Sequence, residues 1–178
     1  AVLMAWLLER TATPARRWIA ALILVPMTIP SLLSAIAWIQ LLDPRIGLVN
    51  VGLRNVLGLP GDTGPFDIYT LYGMCFVQGL RLVPSAFLMI AASFRAMDPS
   101  LEEQSAMAGR GVAQTTLRIT LPIMRPALLA MLIYYIIVVI ESFDIPGLLG
   151  FTARIRVLST AIYWATHSEV GLPDYGLA

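Results

Sequence analysis

Two charged side chains, Arg81 and Glu141, lie inside otherwise apolar segments. An ionisable group within a membrane segment is costly to insert, so each one is a functional candidate by default. Counted from Arg95 and Arg125, the two charges lie about 21 Å and about 24 Å along their helices at roughly 1.5 Å per residue. We therefore expect them at a similar depth, where they either pair, line a path through the membrane or reach separately to the outer interface.

The residue types that enzymatic catalysis needs are sparse. The chain has no lysine and therefore no P-loop, so we expect no ATP hydrolysis by the chain itself. The single histidine, His167, has no partners at triad or metal-ligand spacing. The single cysteine, Cys75, lies in an apolar run and is predicted to be a small core residue. We predict a protein that is not an enzyme and that holds neither a metal nor another cofactor.

Composition indicates an integral membrane protein. Of 178 residues, 58% are hydrophobic and 13% are charged, whereas soluble domains are about 45–50% apolar. The net charge of +1 gives no reason to expect a nucleic-acid partner. The predicted fold class is all-α, a polytopic transmembrane helical bundle. We expect the sequence to be a fragment, because residues 1–8 resemble the end of a helix and follow no initiating methionine.

Three apolar segments are long enough to cross a bilayer, which takes about 20 helical residues. They are residues 18–42, 69–94 and 127–143, with partial spans at 1–8 and from 175. Residues 1–178 would thus form one partial transmembrane domain. Pro26 and Pro30 are expected to kink the first span, and Pro84 to break the second.

The segments between the spans are expected to be loops and short helices. Residues 43–67 are rich in glycine and proline, and within them residues 47–59 predict a short helix on the membrane surface. Residues 145–152 predict a turn, and residues 157–166 a helix too short to span.

The arginines orient the spans. Seven lie on one side and four on the other: Arg10, Arg16, Arg17, Arg95, Arg110, Arg118 and Arg125 against Arg45, Arg54, Arg154 and Arg156. Because cytoplasmic loops carry the excess of positive charge, the loop at residues 95–126 is predicted to be cytoplasmic.

This polar loop, residues 95–126, opens with signals for a helix start. Asp98 can accept hydrogen bonds from the first free backbone N–H groups, and Pro99 suits the first helical position. Ser100 with Glu103 fits a capping box. We therefore predict a helix that begins here and runs to about Ala108.

The same loop contains signals for a break and a second helix. Gly109 and Gly111 are expected to end the first helix in the left-handed conformation. Residues 112–120 predict a second short helix, which Pro122 and Pro126 would end before the next apolar run.

Five residues of the polar loop resemble a known motif. Glu103, Gly109, Ile119, Leu121 and Pro122 stand at the spacing of the EAA loop (E-A-A, three residues, G, nine residues, I-x-L-P). This loop belongs to the permease subunits of binding-protein-dependent ABC importers. Gln104 and Ser105 stand where the motif has two alanines. Without the resemblance, an amphipathic connector between two spans would be the preferred interpretation.

The resemblance implies a permease subunit that forms a solute path and couples to a cytoplasmic ABC ATPase dimer. In this family the first helix of the loop sits in a groove on the ATPase. The residues expected to take part in coupling are Leu101, Glu103, Ala106, Met107, Gly109, Ile119, Leu121 and Pro122. The resemblance also implies a second permease half, identical, different or fused, and a periplasmic or lipoprotein solute-binding protein. The location would be the bacterial inner membrane, with several crossings.

The end of the chain bears on the solute. Residues 141–150 (ESFDIPGLLG) and 157–163 (VLSTAIY) resemble the branch of this family that serves ferric iron, with thiamine and polyamine importers nearby. Two other classes stay open. A secondary transporter would need intramembrane acidic groups besides Glu141 and no ATPase dock, and a membrane scaffold would leave the polar loop without a partner.

Overall fold

The computed structural model describes residues 1–167, and every regular element in that range is helical. The α-helices are α1 (Val2–Arg10), α2 (Arg16–Leu24), α3 (Ser31–Leu42), α4 (Leu48–Leu57), α5 (Leu71–Ala96), α6 (Ser100–Met107), α7 (Val112–Thr115), α8 (Leu121–Glu141), α9 (Phe151–Ala153) and α10 (Leu158–Thr166). The predicted all-α fold is confirmed. The partial span predicted from residue 175 lies outside the described residues.

Within residues 1–167, two helical stretches are long and apolar enough to cross a membrane. Helix α5 has 26 residues, and the stretch Val112–Glu141, which includes α7 and α8, has 30. At about 1.5 Å per residue, α5 is about 39 Å long, more than the hydrocarbon core of about 30 Å. A third crossing exists if α2 and α3 together form one broken span. The chain is a multi-pass membrane protein.

The first predicted span, residues 18–42, is not one kinked helix. A short 3-10 turn, Val25–Thr28, follows α2 and contains Pro26, and Pro30 stands immediately before α3. Proline removes a backbone donor and collides with the carbonyl four residues earlier. Two prolines four residues apart therefore interrupt the helix here, and the predicted kink is present as a sharp bend at a break in the helix.

The other prolines do not end or break helices, contrary to prediction. Pro84 is buried inside the continuous helix α5, and Pro122 and Pro126 lie within the stretch Val112–Glu141. Membrane helices tolerate proline because neighbouring helices, Ser and Thr side chains and local 3-10 or π adjustments can satisfy the backbone groups that it frees. Pro122 also follows a π turn, Thr116–Thr120, which widens the backbone where its ring would clash.

The chain divides into two compact units. Unit 1 comprises residues 1–27 and 82–137, and it therefore holds α1, the second half of α5, the polar loop and most of α8. Its buried core brings together side chains from α1, α5 and α8: Ala5, Leu8, Phe87, Ile90, Ala91, Phe94, Met97 and Met124.

Unit 2 comprises residues 28–81 and the chain from 138. Its core is formed by Ala35, Ile68, Met74, Val77, Ile145 and Leu149. Residues 145–152, predicted as a turn, are helical instead: a short π-helical segment, Pro146–Gly150, runs directly into α9. A Cβ on Gly150 would lie 2.8 Å from the Ile155 carbonyl oxygen, so glycine permits this close packing.

Cys75 is exposed, which corrects its predicted place in the core. Its neighbours Met74 and Val77 occupy the buried face of α5. An α-helix turns about 100° per residue, so Cys75 falls on the outward side although its sequence surroundings are apolar.

The glycine- and proline-rich loop of residues 43–67 contains the predicted short helix, α4, and is organised around Asn50. The fully buried Asn50 amide nitrogen donates to the carbonyl oxygens of Leu42 (3.2 Å), Asp43 (3.0 Å) and Phe66 (2.8 Å). The Asn50 side-chain oxygen accepts from the Phe66 N–H at 3.1 Å. One side chain thus joins the end of α3 to the far side of the loop. The membrane-surface position of α4 remains a prediction.

We expect Asn50→Ala to lower the free energy of unfolding by about 1–3 kcal/mol, because it leaves buried backbone groups without partners. Asn55→Ala is the matched control, since Asn55 lies exposed on the same helix. Thermal unfolding of the purified subunit in detergent measures both. Equal midpoints for the two variants would contradict the role assigned to Asn50.

Candidate functional site

The first helix of the polar loop, α6, is capped by Asp98. The Asp98 Oδ1 atom accepts from the Ser100 N–H at 2.9 Å. This hydrogen bond holds the pKa of Asp98 below its ordinary value of 3.8. Because the pKa of Asp98 is lower in the folded state, the cap adds its full stability at pH values above the unfolded-state pKa. That stability is lost as the pH falls through the lower folded-state pKa. The cap is therefore intact at neutral pH.

The predicted capping box between Ser100 and Glu103 does not form. Pro99 already has helical backbone angles, and its carbonyl oxygen accepts from the Glu102 and Glu103 N–H groups at 3.0 and 3.1 Å. Ser100 therefore lies inside the first turn and is displaced from the position a box requires.

Gly109 ends α6 as predicted. Its φ of 78° is left-handed, its N–H donates to the Ala106 oxygen at 2.9 Å, and the Arg110 N–H donates to the Ser105 oxygen at 3.2 Å. This pair of bonds is the Schellman termination, which glycine adopts without steric cost. Gly111 does not share it. With φ of −71° it is extended and precedes α7, so the predicted left-handed conformation at Gly111 was wrong.

A buried hydroxyl pair joins the two halves of the polar loop. The Oγ of Ser105 on α6 lies 2.8 Å from the Oγ1 of Thr115 on α7, and both residues are buried. Ser105 occupies one of the two positions where the resemblance has alanine. The Ser105 hydroxyl, which alanine would lack, joins α6 to α7 on either side of Gly109.

Glu102, which was not among the predicted site residues, joins α6 to the π turn and to α1 within unit 1. Its Oε1 accepts from the Thr120 hydroxyl at 2.6 Å, and its Oε2 lies 3.1 Å from the Arg10 Nε. The second contact is an ion pair without a directed hydrogen bond from Nε. The Arg10 guanidinium also donates to the carbonyl oxygens of Phe94 (2.9 Å) and Met97 (3.4 Å). The sequence signal that could have identified this attachment is the spacing of Glu102 and Ser105, which are three residues apart and therefore lie on one face of the helix.

The predicted coupling residues of α6 lie on its exposed side. Glu103 and Ala106 are exposed, Met107 is 88% exposed and Leu101 is 39% exposed. Gly109 at the helix end is exposed as well. The face opposite Glu102 and Ser105 is therefore free.

The remaining predicted coupling residues are placed elsewhere in unit 1. Ile119 and Pro122 are half-buried, and Leu121 is 38% exposed. Ile119 lies in the π turn, whereas Leu121 and Pro122 begin α8. These three do not share the exposed face of α6.

An apolar groove of about 460 Å³ runs beside this region of unit 1. Its walls come from α1, α5, the π turn and α8, and include Trp6, Phe94, Leu117 and Leu128. Walls that are almost entirely apolar suit hydrocarbon or another helix, since a polar solute would lose its hydrogen bonds there.

Arg81 and Glu141 both belong to unit 2, but the structure does not pair them. The ion pairs within residues 1–167 are Arg10–Glu102 and Arg95–Glu9. Arg81 is half-buried and Glu141 is exposed.

A group of uncharged and acidic polar residues in unit 2 was missed by the sequence analysis. The Ser142 hydroxyl lies 3.5 Å from the Gln78 Oε1, and the Ser159 hydroxyl donates to the Ser142 carbonyl oxygen at 2.7 Å. Ser31 donates to the carboxylate of Asp144. The Gln78 Nε2 atom is buried without a hydrogen-bond partner among the described residues.

We expect Ser105→Ala or Thr115→Val alone to weaken the attachment of α6 to α7 by about 1–3 kcal/mol, since each leaves a buried hydroxyl unpaired. The double variant should cost less than the sum of the two, because it removes both hydroxyls. Hydrogen exchange of the α6 amides measures the effect. Strictly additive losses would contradict a direct bond between the two side chains.

Comparison with known proteins gives relatives along most of the chain. No protein-family profile matches. The trehalose/maltose transport system permease protein MalF of Thermococcus litoralis is 26% identical over 166 residues, which cover 88% of this chain and 53% of that protein. The sulfate transport system permease protein CysT of Escherichia coli is 29% identical over 133 residues, 72% of this chain and 44% of that protein.

A third relative is the putative ferric transport system permease protein FbpB 1 of Haemophilus influenzae. It is 26% identical over 141 residues, 79% of this chain and 21% of that protein. The chain spans about half the length of MalF and less of the other two. All three are permease proteins of transport systems, and with the membrane-length helices these similarities identify the chain as a relative of the permease subunits of binding-protein-dependent ABC importers.

Proposed function

We propose that this chain is part of the membrane-spanning permease subunit of an ATP-driven importer, and that the polar loop is its EAA-type coupling element. The observation that carries the proposal is the two-sided character of α6. One face is held by Glu102 and Ser105, whereas Glu103, Ala106 and Met107 are left exposed. ATP would be hydrolysed by a separate cytoplasmic ATPase dimer that receives this exposed face.

The exposed face has the chemistry of a docking surface. Met107 is 88% exposed at the end of a short polar helix, where covering it would remove apolar surface from water. Flexible methionine adapts to a groove in a partner, and Glu103 supplies a charge for orientation. Because Asp98 caps one end of α6 and Gly109 closes the other, little conformational entropy would be lost on docking.

The assembly requires further subunits. Only 6% of the most apolar part of Val112–Glu141 is buried, and Leu132, Ile133 and Ile137 are exposed. An apolar helix surface of this kind faces lipid or another membrane helix. We assign part of this apolar surface to contact with a second permease half, which would be an identical chain, a different chain or part of the same fused chain. A solute-binding protein would act outside the membrane.

The imported solute is proposed to be a small hydrophilic molecule or ion that the binding protein selects. Ferric iron, the solute expected from the resemblance at residues 141–150, is named by the Haemophilus influenzae relative, whereas the other two relatives described above are named for trehalose or maltose and for sulfate. Uptake assays with labelled iron, sulfate and disaccharides separate these three.

The solute path is proposed to run past Arg81 and Glu141 in unit 2. Charges within or at the end of membrane helices are retained where they meet water or a polar cargo. Gln78 and Ser142 add uncharged hydrogen-bonding groups in the same unit. The proposed path residues would then belong to unit 2 and the proposed coupling residues to unit 1.

We expect Glu103→Lys to reduce solute uptake and solute-stimulated ATP hydrolysis by at least tenfold, about 1.4 kcal/mol of lost docking free energy, because it reverses the charge on the docking face. Gly109→Pro should do the same, since proline cannot adopt the φ of 78° at that position. Both variants should still insert in the membrane. Transport in proteoliposomes with the ATPase gives the measurement.

Asp62→Lys is the matched control for Glu103→Lys. It introduces the same charge change at an exposed position in the loop predicted to lie on the opposite side of the membrane. Normal uptake by Glu103→Lys, or an equal loss in Asp62→Lys, would contradict the docking assignment.

For the path we expect Arg81→Gln and Glu141→Gln each to lower uptake by about threefold to tenfold, which corresponds to about 0.6–1.4 kcal/mol at about 1.4 kcal/mol per tenfold in rate. Because the structure contains no ion pair between them, the two losses should add in the double variant. Uptake rates at saturating solute test this. A double variant no worse than either single one would show that the two charges act as a pair.

A further inference from the structure

Arg10 stands where three segments of unit 1 meet. It is the last residue of α1, its guanidinium donates to the Phe94 and Met97 carbonyl oxygens at the end of α5, and it pairs with Glu102 on α6. The guanidinium also lies 5.7 Å from the centre of the Phe94 ring. Arg10 therefore joins the end of α1 to α5 and to the helix of the polar loop, α6.

These contacts are shielded from solvent. The side chains of Arg10 and Glu102 are 14% and 20% exposed. Removing one partner from such a pair leaves a poorly solvated charge, which costs more than losing an exposed ion pair. The Thr120 hydroxyl, which is almost fully buried, holds the other oxygen of Glu102 and fixes the carboxylate in place.

We propose that Arg10 is a positioning residue that transmits displacement of α6 to α1 and α5. If α6 moved alone, the Arg10–Glu102 pair and the Thr120–Glu102 bond would break together. Moving α1, α5, α6 and the π turn as one body keeps every one of these contacts. The clamp, defined as Arg10, Glu102 and Thr120, therefore converts a push on the exposed face of α6 into movement of the helices that it touches. This inference rests on the proposed docking function.

The structure supplies an internal control. The Arg95 guanidinium pairs with Glu9 at 2.7 Å and joins the same two helices, α5 and α1, and within residues 1–167 its ion pair is with Glu9 and not with a residue of α6. The Arg95 side chain is 68% exposed. Loss of this pair affects the contact between α1 and α5 without affecting the clamp.

The test uses the complete permease with its ATPase in proteoliposomes. Arg10→Met and Glu102→Gln should keep the ATPase bound and should keep basal ATP hydrolysis, because the exposed face of α6 is unchanged. The number of solutes imported per ATP hydrolysed should fall at least about fivefold, within the range of known coupling energies. The double variant should be no worse than Arg10→Met, since both remove the same link.

Glu9→Gln should leave the ratio of uptake to hydrolysis unchanged. Arg10→Lys, which retains the charge but offers fewer donors, should be intermediate, and it replaces Arg10→Met if that variant does not assemble. An unchanged ratio in Arg10→Met or Glu102→Gln, an equal loss in Glu9→Gln, or release of the ATPase by either clamp variant would each overturn the inference. Failure of the unmodified permease to bind an ATPase would instead refute the proposed function.

Discussion

The carbonyl groups left free at the end of a helix are the constraint on which both units of this protein depend. The last four carbonyl oxygens of a helix have no intrahelical donor, and burying them unpaired is costly. In unit 1, Arg10 donates to Phe94 and Met97 at the end of α5. In unit 2, Asn50 donates to Leu42 and Asp43 at the end of α3. Each unit thus uses one polar side chain, fully buried Asn50 or largely shielded Arg10, to close a helix end.

These two side chains also determine which segments are held together. The Asn50 amide reaches Phe66 as well, so the loop between α3 and α5 is closed on itself within unit 2. The two carbonyl groups do not neutralise the positive charge of Arg10, and Arg10 also forms an ion pair with Glu102. The same need for backbone partners therefore closes the loop between α3 and α5 in one unit and attaches the polar loop in the other.

The attachment explains how adjacent acidic residues can have different roles. Glu102 and Glu103 are neighbours in sequence, but a helix turns about 100° between them. Glu102 binds Thr120 and Arg10, whereas Glu103 is exposed beside Ala106 and Met107. A helix held firmly on one face and open on the other suits the transfer of a mechanical signal, because a push on the open face reaches the segments that the held face contacts. This division supports the proposal of a coupling helix.

The sequence by itself determined the properties that depend on composition and on local signals. Its apolar content implied membrane helices, Asp98 and Gly109 predicted the two ends of α6, and the residue spacing in the polar loop indicated the family. These follow from interactions within a few residues, or from the bulk preference of apolar side chains for lipid, and both can be read along the chain.

Tertiary structure decided what depends on residues distant in sequence. Arg10 and Glu102 are separated by about ninety positions, and no local pattern connects them. Their pairing requires α1, α5 and α6 to meet, which is a property of the folded unit alone.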